Sequence, residues 1–268
     1  MSWGGDGLSI PDRIASDEGE QMSDVVYQAD GLIMTGHLAL PRGEGPWPSV
    51  LIAHDGVGLE SYQRSRADEL ATLGYVAFAM DYHGGEVFLG RPEAMLARTM
   101  PLLQDVDRMR AIGLAALDQL LAEPGVDGGR LGVLGYGAGG LIALEVARTC
   151  VAFRATALVH PALPDPSDDD WAALAGSFLL CTGSEDPIVT ADQVLTFGRT
   201  LQRLGLDWRA NIYGGAKHAF WAVQAGGGEE MESGAPLSLK TVPGVGHHPT
   251  QAARAWQDVL DHFSQILG

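Results

Sequence analysis

The stretch from Leu131 to Thr149 constrains the fold more than any other part of the chain. Leu131 to Leu134 is a short apolar run that reads as a buried strand. A glycine-dense turn follows, Gly135-Tyr136-Gly137-Ala138-Gly139-Gly140. Beyond it, Leu141, Leu144 and Val146-Ala147 recur at helical spacing. Strand, tight turn and helix in succession are the setting in which a Gly-x-nucleophile-x-Gly turn lifts one side chain above a sheet. The flanking glycines are Gly135 and Gly139-Gly140. The central position is Gly137, which has no side chain to lift.

Either side of this unit, buried strands alternate with amphipathic helices. Val25-Val26-Tyr27 and Leu32 to Leu40 flank Asp30-Gly31, a hairpin signal. Ser49 to Ala53 is a strand ending at His54-Asp55-Gly56, and residues 60 to 73 form a helix stopped by Gly74. Tyr75 to Met80 is a strand ending at Asp81-Tyr82-His83-Gly84. A long helix from about Arg91 breaks near Pro101, with Leu102, Val106, Met109, Gly113, Leu117 and Leu120 on one face. Ala155 to His160 is a strand, followed by an acidic loop over 161–171. Phe178 to Thr182 is a strand, Thr190 caps a helix to about Leu204, and Trp208 to Tyr213 is the last strand. A glycine-rich stretch, 225 to 248, leads to a final helix with Ala253, Trp256, Leu260 and Phe263 on one face. Such alternation predicts an α/β fold: a mostly parallel central sheet with helices on both faces. Residues 1–22 read as an acidic extension, and residues 23–268 as one domain.

Composition narrows the function classes. The 268 residues carry a formal net charge of -17, which argues against nucleic acid and against anionic membrane surfaces. No run approaches the ~18 apolar residues of a membrane span. The start, Met-Ser-Trp-Gly-Gly-Asp-Gly, lacks the basic start and apolar core of a signal peptide, so a cytoplasmic location is expected. Cys150 and Cys181 sit in apolar sequence and match no metal-ligand spacing; both are expected as buried free thiols.

In open α/β sheets, sites form beyond the carboxyl ends of the strands. Four predicted strand ends carry candidate groups: His54-Asp55, the Gly137 turn, Asp186 and His218. Turn, Asp and His follow the chain order of one class of hydrolytic triad. An imidazole titrates near neutral pH, so His218 is the candidate general base. Asp186 would hold its tautomer by accepting from the other ring nitrogen. The N–H groups of Ala138 and Gly56 are candidates to stabilise an oxyanion. Taken singly, an Asp-Pro turn or one histidine after a glycine pair is usually only a turn; the joint order gives the pattern its weight. His37, His160, His247 and His248 carry less weight, and the last two are expected in a solvated loop.

On these residues the chain resembles the dienelactone hydrolase family of α/β-hydrolases, from about Val25 to Phe263. The family's turn typically reads Gly-x-Cys-x-Gly-Gly, against Gly135-Tyr136-Gly137-Ala138-Gly139-Gly140 here. Its Asp-Pro turn is similar to Gly183-Ser184-Glu185-Asp186-Pro187, and its histidine segment to Tyr213-Gly214-Gly215-Ala216-Lys217-His218-Ala219-Phe220. Asp55 stands where the family usually has Glu, an acid that helps control the nucleophile, and Asp81-Tyr82-His83-Gly84 also fits a family strand end. The resemblance implies the α/β-hydrolase fold. It implies a small ester, lactone or carboxylate-bearing ligand, with neither cofactor nor metal, and a pocket lined by His54, Asp55, Tyr82, His83, Tyr136 and Phe220. The departures are Gly137 and the glycine-rich stretch at 225–235.

Gly137 leaves three readings open. The chain could be a nucleophile-deleted variant of an active Cys or Ser hydrolase. It could be a non-catalytic relative that binds a ligand in the old pocket. It could also be an enzyme in which His218 activates a water where the thiol would stand.

Overall fold

The computed structural model describes residues 21–149, 153–163, 169–221 and 244–268. Its strands are β1 (Gln21–Ala29), β2 (Leu32–Leu40), β3 (Trp47–Ala53), β4 (Val76–Met80), β5 (Val126–Tyr136), β6 (Phe153–Val159), β7 (Ser177–Gly183) and β8 (Asp207–Tyr213). They form a sheet in the order β1-β2-β4-β3-β5-β6-β7-β8. β1, β2 and β4 pair antiparallel; from β4 through β3 to β8 every pairing is parallel. The helices are α1 (Ser61–Thr72), α2 (Pro92–Leu103), α3 (Val106–Leu121), α4 (Ala138–Thr149), α5 (Ala191–Arg203) and α6 (Pro249–Leu267), with a 3-10 turn at Asp169–Ala173.

The apolar runs are explained by burial on both faces. In β3, Leu51 and Ala53 join a core shared with α2 to α5, while Val50 and Ile52 join one shared with α1 and α6. β5 divides likewise, Leu131 and Val133 to the first core, Leu134 and Tyr136 to the second. Successive strand residues point to opposite faces, so a strand covered on both sides must be apolar throughout. That is the α/β-hydrolase arrangement expected from the sequence.

Two boundaries differ from the sequence reading and one is refined. Gln21 and Met22, expected in the extension, pair with Leu40 and Ala39 in β1; residues 1–20 lie outside the described residues. The long helix does break near Pro101, but just beyond it. That residue sits in the last turn of α2, where its missing N–H costs one helical bond, and the break comes where Asp105 caps α3 by accepting from Arg108 N at 3.0 Å. The buried face of α6 is Ala252, Ala255-Trp256, Val259 and Phe263, with Ala253 exposed; adjacent apolar pairs (Ala252-Ala253, Val259-Leu260) made the register ambiguous. Cys150, 164–168 of the acidic loop and 225–243 of the glycine-rich stretch lie outside the described residues. Cys181 is buried in β7 as expected, its thiol pushed up to about 12 by burial.

Candidate active site

β3, β5, β6, β7 and β8 are consecutive neighbours in the sheet, so their carboxyl ends form one rim. The rim gathers Asp55, Gly137, His160, Asp186 and His218.

The turn after β5 is tight because three glycines let backbone approach backbone. A Cβ on Gly139 would stand 2.0 Å from the His54 carbonyl oxygen, and one on Gly135 2.6 Å from Gly140 Cα. Only glycine therefore lets the first turn of α4 pack on the ends of β3 and β5. Gly137 itself has φ +52°, the left-handed conformation in which a side chain is strained. Its N–H donates to Val159 O at 3.1 Å, and its carbonyl accepts from Ala162 N at 2.8 Å. These two bonds strap the turn to the end of β6.

Asp186 and His218 are brought together by cross-ties between their turns. Ser184 N donates to Tyr213 O at 2.9 Å, Glu185 N to Ala216 O at 2.9 Å, and Gly215 N to Ser184 Oγ at 2.8 Å. Gly244 O and Gly246 N bracket the His218 main chain at 2.9 and 3.0 Å. The result is a His218 Nδ1 to Asp186 Oδ2 distance of 2.9 Å. Asp186 Oδ1 accepts from Ile188 N and Val189 N, both at 2.8 Å, so the carboxylate cannot rotate freely. With Nδ1 engaged, Nε2 of His218 is the nitrogen left for chemistry.

Asp55 closes the other side. Its Cβ lies 3.4 Å from where a Cβ of residue 137 would stand. Its Oδ1 accepts from Val57 N at 2.7 Å, yet burial pushes the carboxyl up to about 7. The N–H groups of Gly56 and Ala138 make no hydrogen bond to a described residue, which leaves both available to an oxyanion.

The remaining sequence candidates are buried around this centre. His54 stacks on Tyr82 with ring centroids 3.7 Å apart. His54 Nδ1 lies 2.5 Å from Asp55 O, and the Tyr82 hydroxyl donates to the same carbonyl at 2.6 Å. His83 Nε2 lies 3.0 Å from Gly56 O, and burial, with His54 beside it, pulls His83 down to about 3. These three rings thus brace the 55–56 turn through its main chain. Tyr136 is buried against Tyr62 and Trp221, and Phe220 is fully buried with its ring centroid 6.5 Å from that of His160. His247 is half-buried rather than solvated, its Nδ1 3.1 Å from Phe220 O.

His160, given little weight in the sequence, is central in the structure. Its ring centroid is 4.6 Å from that of His218, and its Cε1 lies 3.0 Å from the Cβ position of residue 137. It stands at the end of β6, so the strand-end criterion that selected the other candidates applied to it equally. Among the described residues, no group of three or more His, Cys, Asp or Glu side chains is arranged to hold a metal ion. No helix among them is long and apolar enough to cross a membrane.

The dienelactone hydrolase family matches the chain over residues 34–267. The chain belongs to that family. A family-like protein of Bradyrhizobium sp., named "Probable 2-oxo-3-(5-oxofuran-2-ylidene)propanoate lactonase", is 29% identical over 203 residues, covering 69% of this chain and 77% of that protein. The solved structure named m3DLH superposes with a TM-score of 0.81 at 29% identity, covering 93% of this chain and 99% of its own. A dienelactone hydrolase-like promiscuous phosphotriesterase, P91, from metagenomic libraries also superposes at 0.81, with 28% identity, covering 94% of this chain and all (100%) of its own. This chain is thus a hydrolase-family protein along its matched length.

Proposed function

We propose that this chain hydrolyses small carboxylic esters or lactones with a water molecule activated by His218, and that Gly137 stands at the family's nucleophile position. The observation that carries the reading is the 2.9 Å contact of His218 Nδ1 with Asp186 Oδ2, at a rim shared with the Gly137 turn. Asp186 fixes the tautomer in which Nε2 bears a lone pair. In the proposed step, a water O–H proton passes to Nε2 as the oxygen bonds to the acyl carbon. The carbonyl π electrons move to the oxygen, which accepts from Ala138 N–H and Gly56 N–H. Collapse restores the carbonyl, breaks the bond to the leaving alkoxide and returns the proton from His218 to it. Ester and water give acid and alcohol. The relative named as a lactonase supports small lactones within this class.

The test is turnover of small activated esters and five-membered lactones, followed in single-turnover mode and by intact-protein mass. Steady hydrolysis without a burst and without an acyl adduct is the expected result, because nothing at the turn can be acylated. An adduct on any residue of the site would overturn the water step.

A second reading, ligand binding without turnover, is favoured by one observation: a Cβ at 137 would press on His160, so the site is not shaped around a nucleophile. Gly137→Cys separates the two readings. A non-glycine residue at positive φ costs on the order of 1 to 3 kcal/mol, so its denaturation midpoint should fall. Acquisition of an ester burst and a Cys acyl adduct would mean that the surrounding site still supports acyl transfer. A destabilised and inert Gly137→Cys, in a parent that binds carboxylates without turning over esters, would replace the hydrolase reading with the binding one.

A further inference from the structure

His160 has a conformation and hydrogen-bonding surroundings that packing alone does not explain. It takes φ +40°, an uncommon region for a residue with a side chain and one that costs energy wherever it is held. It is held there by its neighbours. His160 N donates to Cys181 O at 2.7 Å, and the Gly137 turn is bonded to Val159 just before His160 and to Ala162 two residues after it. The residue is 1% exposed.

The tautomer follows from Trp221. The Trp221 indole N–H donates to His160 Nε2, and the two ring planes lie within 2° of each other, as an in-plane N–H···N bond requires. An indole can only donate. Nε2 of His160 is therefore the acceptor, and the ring proton sits on Nδ1. Burial, with His218 beside it, holds His160 well below the ordinary imidazole range, so the ring stays neutral; the approach of its own main chain opposes this more weakly. Beyond the approach of its own main chain, Nδ1 has no hydrogen-bond partner among the described residues, and it lies 3.4 Å from the Cβ position of residue 137. A buried N–H donor without an acceptor costs about 1 to 3 kcal/mol unless something fills the role. The side-chain position that glycine leaves empty adjoins it, 3.0 Å from His160 Cε1 and 3.4 Å from Asp55 Cβ.

We infer that His160 Nδ1–H holds an oxygen in the space a side chain at Gly137 would occupy, and that this oxygen is the water shared with His218. His160 donates to one lone pair of the water, and His218 Nε2 accepts one of its protons. The second lone pair is left to attack the acyl carbon. His160 is then a catalytic residue in the strict sense, since it touches the reacting atom, and Trp221 is a positioning residue that sets its tautomer. The inference rests on the proposed hydrolysis but makes a claim of its own about the resting protein.

The test has two readouts on the full chain. Ring nitrogen-15 spectra of the parent should show His160 protonated on Nδ1 and bare on Nε2 from pH 6 to 8, with a through-space contact from its Nδ1 proton to a long-lived water. The opposite tautomer, or no such water, overturns the inference. For turnover, His160→Phe keeps the ring shape without the donor and should lower kcat at least tenfold with KM changed less than threefold. His160→Asn restores an N–H donor, tolerates positive φ, and should recover part of the loss. A His160→Phe protein with parental kcat overturns the inference while leaving the hydrolase reading intact. A parent that shows the bound water but no turnover sinks the hydrolase reading and the catalytic half of the inference, while the water site stands. Where His160→Phe does not fold, the spectra of the parent and the kinetics of His160→Asn still decide.

Discussion

His218→Ala is expected to lower kcat for small-ester hydrolysis by roughly 10²- to 10⁴-fold, the range a positioned general base supplies. Asp186 is buried, and Oδ1 is already taken by Ile188 N and Val189 N, so among the described residues Oδ2 faces His218 Nδ1, at 2.9 Å. The Nε2 lone pair is thereby the basic site at the rim. Removing the ring removes the base at this position, and neither His160 nor Cys181 can replace it. His160 is neutral and donates on the side facing Gly137, and Cys181 is buried within β7 with its thiol pushed up to about 12. Asp186→Asn should approach the same loss by another route. Its amide can donate to Nδ1 and so stabilise the tautomer with Nε2 protonated, which cannot accept a proton. Both variants should melt close to the parent, because His218 is partly exposed and its main chain is held by residues 244 and 246. Retention of a third of parental kcat in His218→Ala would rule it out as the base.

Much of this site could be read from the sequence because two rules operate locally. Strands buried on both faces must be apolar runs, and in an open α/β sheet the chain leaves each strand at the functional rim. Leu131–Leu134 and Phe178–Thr182 therefore mark the sheet and the turns that carry Gly137 and Asp186, while Trp208–Tyr213, a half-exposed edge strand, is marked by its place before the His218 turn. What escaped depends on contacts distant in sequence. Asp30 looked like hairpin chemistry alone, yet its carboxylate is gripped by Arg108 at 2.6 Å and Arg98 at 3.2 Å, which tie the β1–β2 turn to α3 and α2. His160 carries little weight in the sequence, because the indole that fixes its tautomer comes from residue 221. His54, Tyr82 and His83 were selected for their position at strand ends. Position alone could not reveal that their ring nitrogens and hydroxyl turn inward to the 55–56 main chain.

Asp55→Asn is expected to stabilise the fold above neutral pH while leaving it almost unchanged in acid. The carboxyl is taken out of water at the end of β3, and that burial raises it from 3.8 to about 7. The N–H groups of Val57 and Gly58 oppose the shift and nearby Glu60 adds to it. In the unfolded chain the group ionises near pH 4. Between these two values the folded protein holds a proton that the unfolded chain has released. Raising the pH therefore favours unfolding, at about 1.4 kcal/mol for each pH unit from this one group. The contribution is fully present below about pH 4, falls away through about pH 7, and changes no further above it. Asparagine has no proton to lose, and its amide oxygen can keep the 2.7 Å bond from Val57 N. The two proteins should match near pH 4, and the variant should lead by roughly 4 kcal/mol at pH 8. Denaturant melts at pH 5, 6, 7 and 8 measure the difference directly, since other titrating groups cancel between the two proteins. Parallel stability curves would show that the carboxyl is solvated in the folded state. A widening gap would show that the chain retains, beside the Gly137 turn, an acid that weakens the fold at neutral pH. An asparagine would serve the turn's hydrogen bonds equally well, so packing gives no reason for the carboxyl. Under the proposed hydrolysis its ability to ionise next to the space above Gly137 gives one, since stability is commonly traded for function at a site.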